Sequence, residues 1–168
     1  MDDPEWRRGV RWGRPRRGHP EGSVLAHIHE VLDNVDRVAD SPEQRERLRL
    51  IALVHDSFKA GVDRSRPKHG PNHHAAIARR FTERYSGDHG LLLVVEHHDV
   101  PYALWRRGNR TGDWEASTRW AGALIDALGD DLDLFLRFYR ADNETGDKTD
   151  DDRRWFEGVV TDRCPHRP

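Results

Sequence analysis

Residues 41–61 read SPEQRERLRLIALVHDSFKAG. Ser41, Pro42 and Gln44 make a helix start: serine as N-cap, proline in the first helical position, glutamine three residues on as in a capping box. The helix this predicts carries Leu48, Ile51, Ala52 and His55 on one stripe, runs to Lys59 and ends at Gly61. The apolar run over 48–54 thus leads straight into two adjacent polar side chains, His55 and Asp56. Leaving such groups unpaired beside a buried run is costly, and a bound cation is one of the few partners that satisfies both.

Working outward, the chain holds 11 histidines, 10 of them between His19 and His98, with two tandem pairs, His73-His74 and His97-His98. From Ser23 onward, Val24, His27, Ile28, Val31, Val35 and Val38 recur at helical spacing and place His27 on an apolar stripe. His29 lies about 200° round the same helix and is expected on the surface. Past a Pro/Gly/Arg loop at 61–71, Asn72 is the predicted N-cap of a helix to Tyr85, with His73 and His74 in its first turn. Asp88 is the predicted cap of the next, through Leu91 to His98 and limited by Pro101. Residues 106–113 read as a surface loop. Helices over 114–128, 130–142 and 150–161 follow, the second with Leu132, Phe135, Phe138, Tyr139 and Asp142 on one face. The expected fold is all-α, a bundle of about six to seven helices.

Composition agrees. Apolar and charged residues each make up 35% of the chain, as expected for helices with one apolar stripe and a charged outer face. At 168 residues a single domain over 23–162 is expected, preceded by an Arg/Pro/Gly-rich arm at 1–22 that shows no helical period. A net charge of −2 argues against general nucleic-acid binding. The one cysteine, Cys164, excludes an intrachain disulfide and leaves nitrogen and oxygen as the metal donors. No run approaches the roughly 18 apolar residues of a membrane span and no signal-peptide core is present. A soluble, cytoplasmic protein without membrane contact is the expectation.

Three inward positions on three predicted helices therefore stand together: His27, the His55-Asp56 doublet and Asp142. Imidazole and carboxylate donors suit Mn, Fe, Co, Ni or Zn, and such a set leaves coordination positions open for chemistry.

This ordered set resembles the H…HD…D signature of the HD-domain superfamily, helical metal-dependent phosphohydrolases. The doublet stands in Leu53-Val54-His55-Asp56, Lys59 completes an H-D-x-x-K, residues 24–32 (VLAHIHEVL) are similar to the first motif, and Ala141-Asp142 resembles the last. The similarity covers roughly residues 18–145. It implies a binuclear H…HD…H…H…D pattern in which His73, followed by Ala78, and His97, three residues after Val94, supply the third and fourth motifs, with His74 and His98 as competitors. Many members have Gly-Ala after the third histidine, which this chain lacks. Asp99-Val100-Pro101-Tyr102 stands where the HD-GYP signature would, so hydrolysis of cyclic di-GMP is not expected.

The resemblance further implies one or two divalent transition-metal ions held by His27, His55, Asp56, His73, His97 and Asp142, with Asp56 bridging. Asp56 and Lys59 would be the catalytic residues. Lys59 and an arginine among Arg64, Arg66, Arg79 and Arg80, with Arg79 foremost, would hold the phosphate, and Tyr102 with Trp105 would stack on a base or line an apolar pocket. The expected substrate is a small phosphate ester, with a nucleotide foremost. An alternative within the same pattern is a mixed-valent di-iron oxygenase; another is a non-enzymatic nucleotide-binding module. His19, His69 and His89 are expected to be solvated.

Overall fold

The computed structural model describes residues 2–165 and is all-α, with no strand among the described residues. In chain order the helices are α1 (Pro4–Val10), α2 (Val24–Val38), α3 (Pro42–Val54), α4 (His74–Thr82), α5 (His89–His97), α6 (Val100–Thr111), α7 (Trp114–Leu128), α8 (Leu132–Asn143) and α9 (Asp151–Arg163). None is long and apolar enough to cross a membrane.

Local chemistry sets most of the starts. Ser23 Oγ accepts from Ala26 N at 3.2 Å, and Asp88 Oδ1 from Leu91 N at 3.0 Å. Ser41 Oγ accepts from Gln44 N at 3.1 Å while Gln44 Oε1 accepts from Asp40 N at 2.9 Å, a reciprocal clasp. α2 packs on α3 and α8, α3 also on α5 and α8, and α4 on α5; α6 packs on α7 and α9. Ile28, Leu48, Ile51, Phe135, Phe138 and Phe156 are fully buried in one continuous core.

The structure departs from the sequence reading in four places. α3 stops at Val54 rather than running to Lys59, because side chains take the carbonyls of its last turn. His55 Nδ1 lies 3.0 Å from Ala52 O, while Ser57 Oγ and Trp6 Nε1 donate to Leu53 O at 2.7 and 2.6 Å. The doublet therefore sits on a turn that points it off the helix end. α4 begins at His74, not after an Asn72 cap. Asn72 instead stitches its own loop, accepting from Asp63 N and donating to the carbonyls of Asp63 and Pro67, each at 2.9 Å.

The predicted loop at 106–113 belongs mainly to α6. Pro101 does not merely limit α5; it sits in the first turn of α6, where its missing N–H costs nothing, and Gly112 ends that helix at φ 72°. Finally, the arm at 1–22 is not without helix. Asp3 caps α1, whose Trp6 and Val10 are buried in the core. Gly9 lets α1 lie directly on the backbone after the doublet: a Cβ there would stand 1.7 Å from Ser57 O. The arm then reaches the loop after α8, where Gly18 N donates to Asp147 Oδ1 at 2.6 Å.

Candidate metal centre

Five helix ends and faces converge at one point. α2 presents His27 from its buried stripe, and α8 presents Asp142 opposite it. The two helices are tied by Asn34, whose side-chain amide donates to Ala141 O at 2.8 Å and Glu144 O at 3.0 Å. The turn after α3 brings in His55 and Asp56, α4 begins with His74, and His98 caps α5. His27, His55, Asp56 and His98 are buried.

The donors fall into two groups that share Asp56. On one side His27 Nε2 and His55 Nε2 are 3.3 Å apart and lie 3.8 and 3.7 Å from Asp56 Oδ2. Asp142 Oδ1 closes this group, 2.9 Å from His27 Nε2 and 3.9 Å from His55 Nε2. On the other side His74 Nε2 and His98 Nε2 are 3.4 Å apart and lie 3.4 and 3.5 Å from Asp56 Oδ1. Donors held about 2.1 Å from one ion, at tetrahedral or octahedral angles, stand about 3.0–3.4 Å from one another. Both groups come close to that spacing, so this cluster of buried histidines and aspartates fits metal ions. The helical frame around it is compatible with an HD-like fold.

Backbone carbonyls orient two of the rings. His55 Nδ1 donates to Ala52 O at 3.0 Å and His98 Nδ1 to Val95 O at 2.9 Å, which leaves each Nε2 facing the centre. Phe138 and His55 pack edge to face with ring centroids 5.2 Å apart. Two ammonium groups compensate the carboxylates: Lys59 Nζ is in close contact with Asp56 Oδ2, and Lys148 Nζ lies 3.0 Å from Asp142 Oδ1.

Burial pushes His55 down to about 3, against the pull of Asp56 and Asp142. Burial also opposes a charge on His98, but the hydrogen bond to Asp56 and the charges of Asp99 and Asp56 outweigh it and raise that ring to about 9. Burial works against ionising Asp56 and Asp142. Lys59 and the histidines around Asp56, and Lys148 and His27 beside Asp142, nonetheless hold both well below the usual carboxylate range.

A pH optimum for the ion-free protein follows from the two rings. Between pH 3 and 6.5 the unfolded chain binds the proton that folded His55 refuses, so stability rises with pH. Between 6.5 and 9 folded His98 keeps a proton that the unfolded chain has lost, so stability falls. Thermal unfolding in chelator is expected to show its highest Tm near pH 6.5. A Tm that kept climbing through the alkaline range would contradict the assignment of the His98 charge.

Of the residues expected from sequence, His27, His55, Asp56 and Asp142 are brought together. Of each tandem pair the second member, His74 and His98, lies against Asp56, while His73 belongs with His74 and Asp99 to a separate group close enough to hold an ion. His73 stands outside α4 with Nε2 3.4 Å from Asp99 Oδ2, and His97 turns toward Glu96 at 3.9 Å. Helical spacing carried a signal for the outcome: His74 shares a face with Ala78 and Phe81, and His98 with Leu91, Val94 and Val95, all of them buried core residues.

A cavity of about 680 Å³ opens over the centre, lined by Asp56, Lys59, His74, His98 and Asp142. Tyr102 and Trp105 also line it, their rings 6.3 Å apart. Arg79 does not reach it: it lies on the outer face of α4, paired with Glu83 and Glu96. Nor do Arg64, Arg66 and Arg80, the last of which donates to Pro71 O at 2.9 Å. The arginines on the cavity wall are Arg16, Arg17 and Arg106. His69 and His89 are exposed as expected, but His19 is half-buried on the cavity wall, its Nδ1 2.9 Å from Glu21 Oε1. Sequence reading missed Lys148, which sits in a loop six residues past Asp142 with no periodicity to mark it, and Glu21.

No protein-family model, no curated protein and no solved structure matches this chain.

Proposed function

We propose that the protein is a metal-dependent phosphohydrolase of the HD-domain kind, acting on a small phosphate ester such as a nucleotide. The observation that carries this reading is the Asp56 carboxylate, one oxygen turned to each histidine group, on the floor of a cavity whose wall includes Lys59, Lys148, Arg16, Arg17 and Arg106 among further aspartates. His27, His55, Asp142 and Asp56 Oδ2 would hold one ion; Asp56 Oδ1, His74 and His98 would hold a second.

Bound divalent ions bring the pKa of a coordinated water to about neutrality and neutralise phosphate oxygens. The chain's own residues do the rest. Lys59 and Lys148, each already on a ligand carboxylate, would hold the anionic group against the centre, with Arg16, Arg17 and Arg106 as further cations on a wall that also carries Asp99, Asp147 and Asp152. Tyr102 and Trp105 offer ring faces to the remainder of the substrate.

The test is phosphate release from a panel of nucleotides and simple phosphate esters, assayed with and without oxygen, on protein of measured metal content. Metal-dependent release supports the reading. Retained iron with oxygen consumption and no phosphate release would replace it with oxidative chemistry at the same centre. Tight nucleotide binding without turnover would leave a binding module.

Lys148→Ala is expected to lower kcat/KM about 10–100-fold, the worth of one charge-assisted hydrogen bond of about 1.5–3 kcal/mol, with metal content unchanged. An unaltered rate would confine Lys148 to compensating Asp142.

A further inference from the structure

His27 differs from the other buried ligand rings. His55 and His98 each donate from Nδ1 to a main-chain carbonyl, whereas the buried Nδ1 of His27 has no hydrogen-bond partner. The group facing it is a carboxylate: Glu21 Oε1 lies 3.5 Å away, just beyond a hydrogen bond. The Glu21 side chain is only 4% exposed, and its second oxygen, Oε2, is also buried without a partner.

A carboxylate in such a place is costly unless paired. No lysine or arginine among the described residues forms an ion pair with it. The groups facing its Oε1 are two imidazoles, His19 Nδ1 hydrogen-bonded at 2.9 Å and His27 Nδ1 at 3.5 Å. On its opposite edge His27 faces the metal-centre donors, with Asp142 Oδ1 2.9 Å from Nε2. A ring that gives its Nδ1 proton to a carboxylate has its Nε2 lone pair fixed toward a metal and made more basic.

We infer that Glu21 is the positioning residue for His27, the acceptor that commits this ring to coordination through Nε2 as backbone carbonyls commit His55 and His98. The geometry also gives Glu21 a second role as anchor of His19 on the cavity wall. The inference rests on the reading that the cluster binds metal and not on the identity of the substrate.

The experiment is Co²⁺ binding to the full chain by chelator competition and visible absorption, with Tm measured in parallel. The variants are Glu21→Gln, His27→Ala and the double variant. Glu21→Gln keeps size and removes charge, so it is expected to weaken Co²⁺ binding about 10–100-fold and to shift the Co²⁺ spectrum. In the His27→Ala background the same change is expected to cost nothing further, because a positioning role acts only through that ring.

Affinity within twofold of wild type, or an equal loss with and without His27, would overturn the inference. If Glu21→Gln does not fold, Glu21→Asp takes its place under the same two criteria. A wild-type chain that binds no Co²⁺ would sink the metal-binding reading itself, a failure visible before any variant is compared.

Discussion

Asp56→Ala is expected to leave a folded protein that holds no metal and turns over at least about 100-fold more slowly, a loss beyond that of removing a partner outside the ligand shell. Both donor groups lose their shared member at once, since Oδ1 serves His74 and His98 while Oδ2 faces His27 and His55. The fold survives because the cations left behind can relax. Lys59 is partly exposed and can turn to water. His98 is kept charged by Asp56 and Asp99 against its burial, and without Asp56 burial favours the neutral ring. Elemental analysis and turnover on the purified variant check this together. Full metal content with full activity would discard the assignment of the centre.

Phe138→Ala is expected to be the most damaging substitution outside the ligand set. The ring is fully buried, and its truncation should cost about 3–5 kcal/mol through lost burial and an unfilled cavity. In a chain of this length that corresponds to a fall in Tm of roughly 6–20 °C. Phe138 also forms the wall behind two ligand rings, with centroids 5.2 Å from His55 and 6.4 Å from His98. Metal affinity should therefore fall along with stability. Phe156→Ala is the control: that ring is equally buried but packs on Phe135 and Tyr139, so stability should drop with little change in affinity. Equal losses of affinity in both variants would show that Phe138 supports the centre only through global stability.

The two substitutions separate kinds of information in this chain. The frame around Phe138 is written locally. Ser23, Ser41 and Asp88 announce helix starts through their side-chain oxygens, and the stripes through Val24–Ile28–Val31 and Leu132–Phe135–Phe138 fix which faces turn inward. Cap chemistry failed where a side chain had a better partner elsewhere. Asn72 reads as a cap yet spends its amide on the 63–67 backbone. The helix over 100–111 was hidden by Gly108, Asn109 and Gly112, residues that propensity assigns to a loop but that contacts with α7 and α9 overrule.

By itself the sequence determined an all-α protein and placed His27, His55, Asp56 and Asp142 inward, because each lies on an apolar stripe or at the end of a buried run. The tandem histidine pairs lie between sequence and tertiary structure, with His74 and His98 set against Asp56. Neighbouring residues on a helix differ by about 100°, so only one of each pair shares a face with buried residues of its own helix, His74 with Ala78 and Phe81 and His98 with Val94 and Val95. Tertiary structure alone brought Lys148, Arg16 and Arg17 to the cavity and Glu21 to His27, since they arrive from loops and a docked arm whose positions no periodicity records.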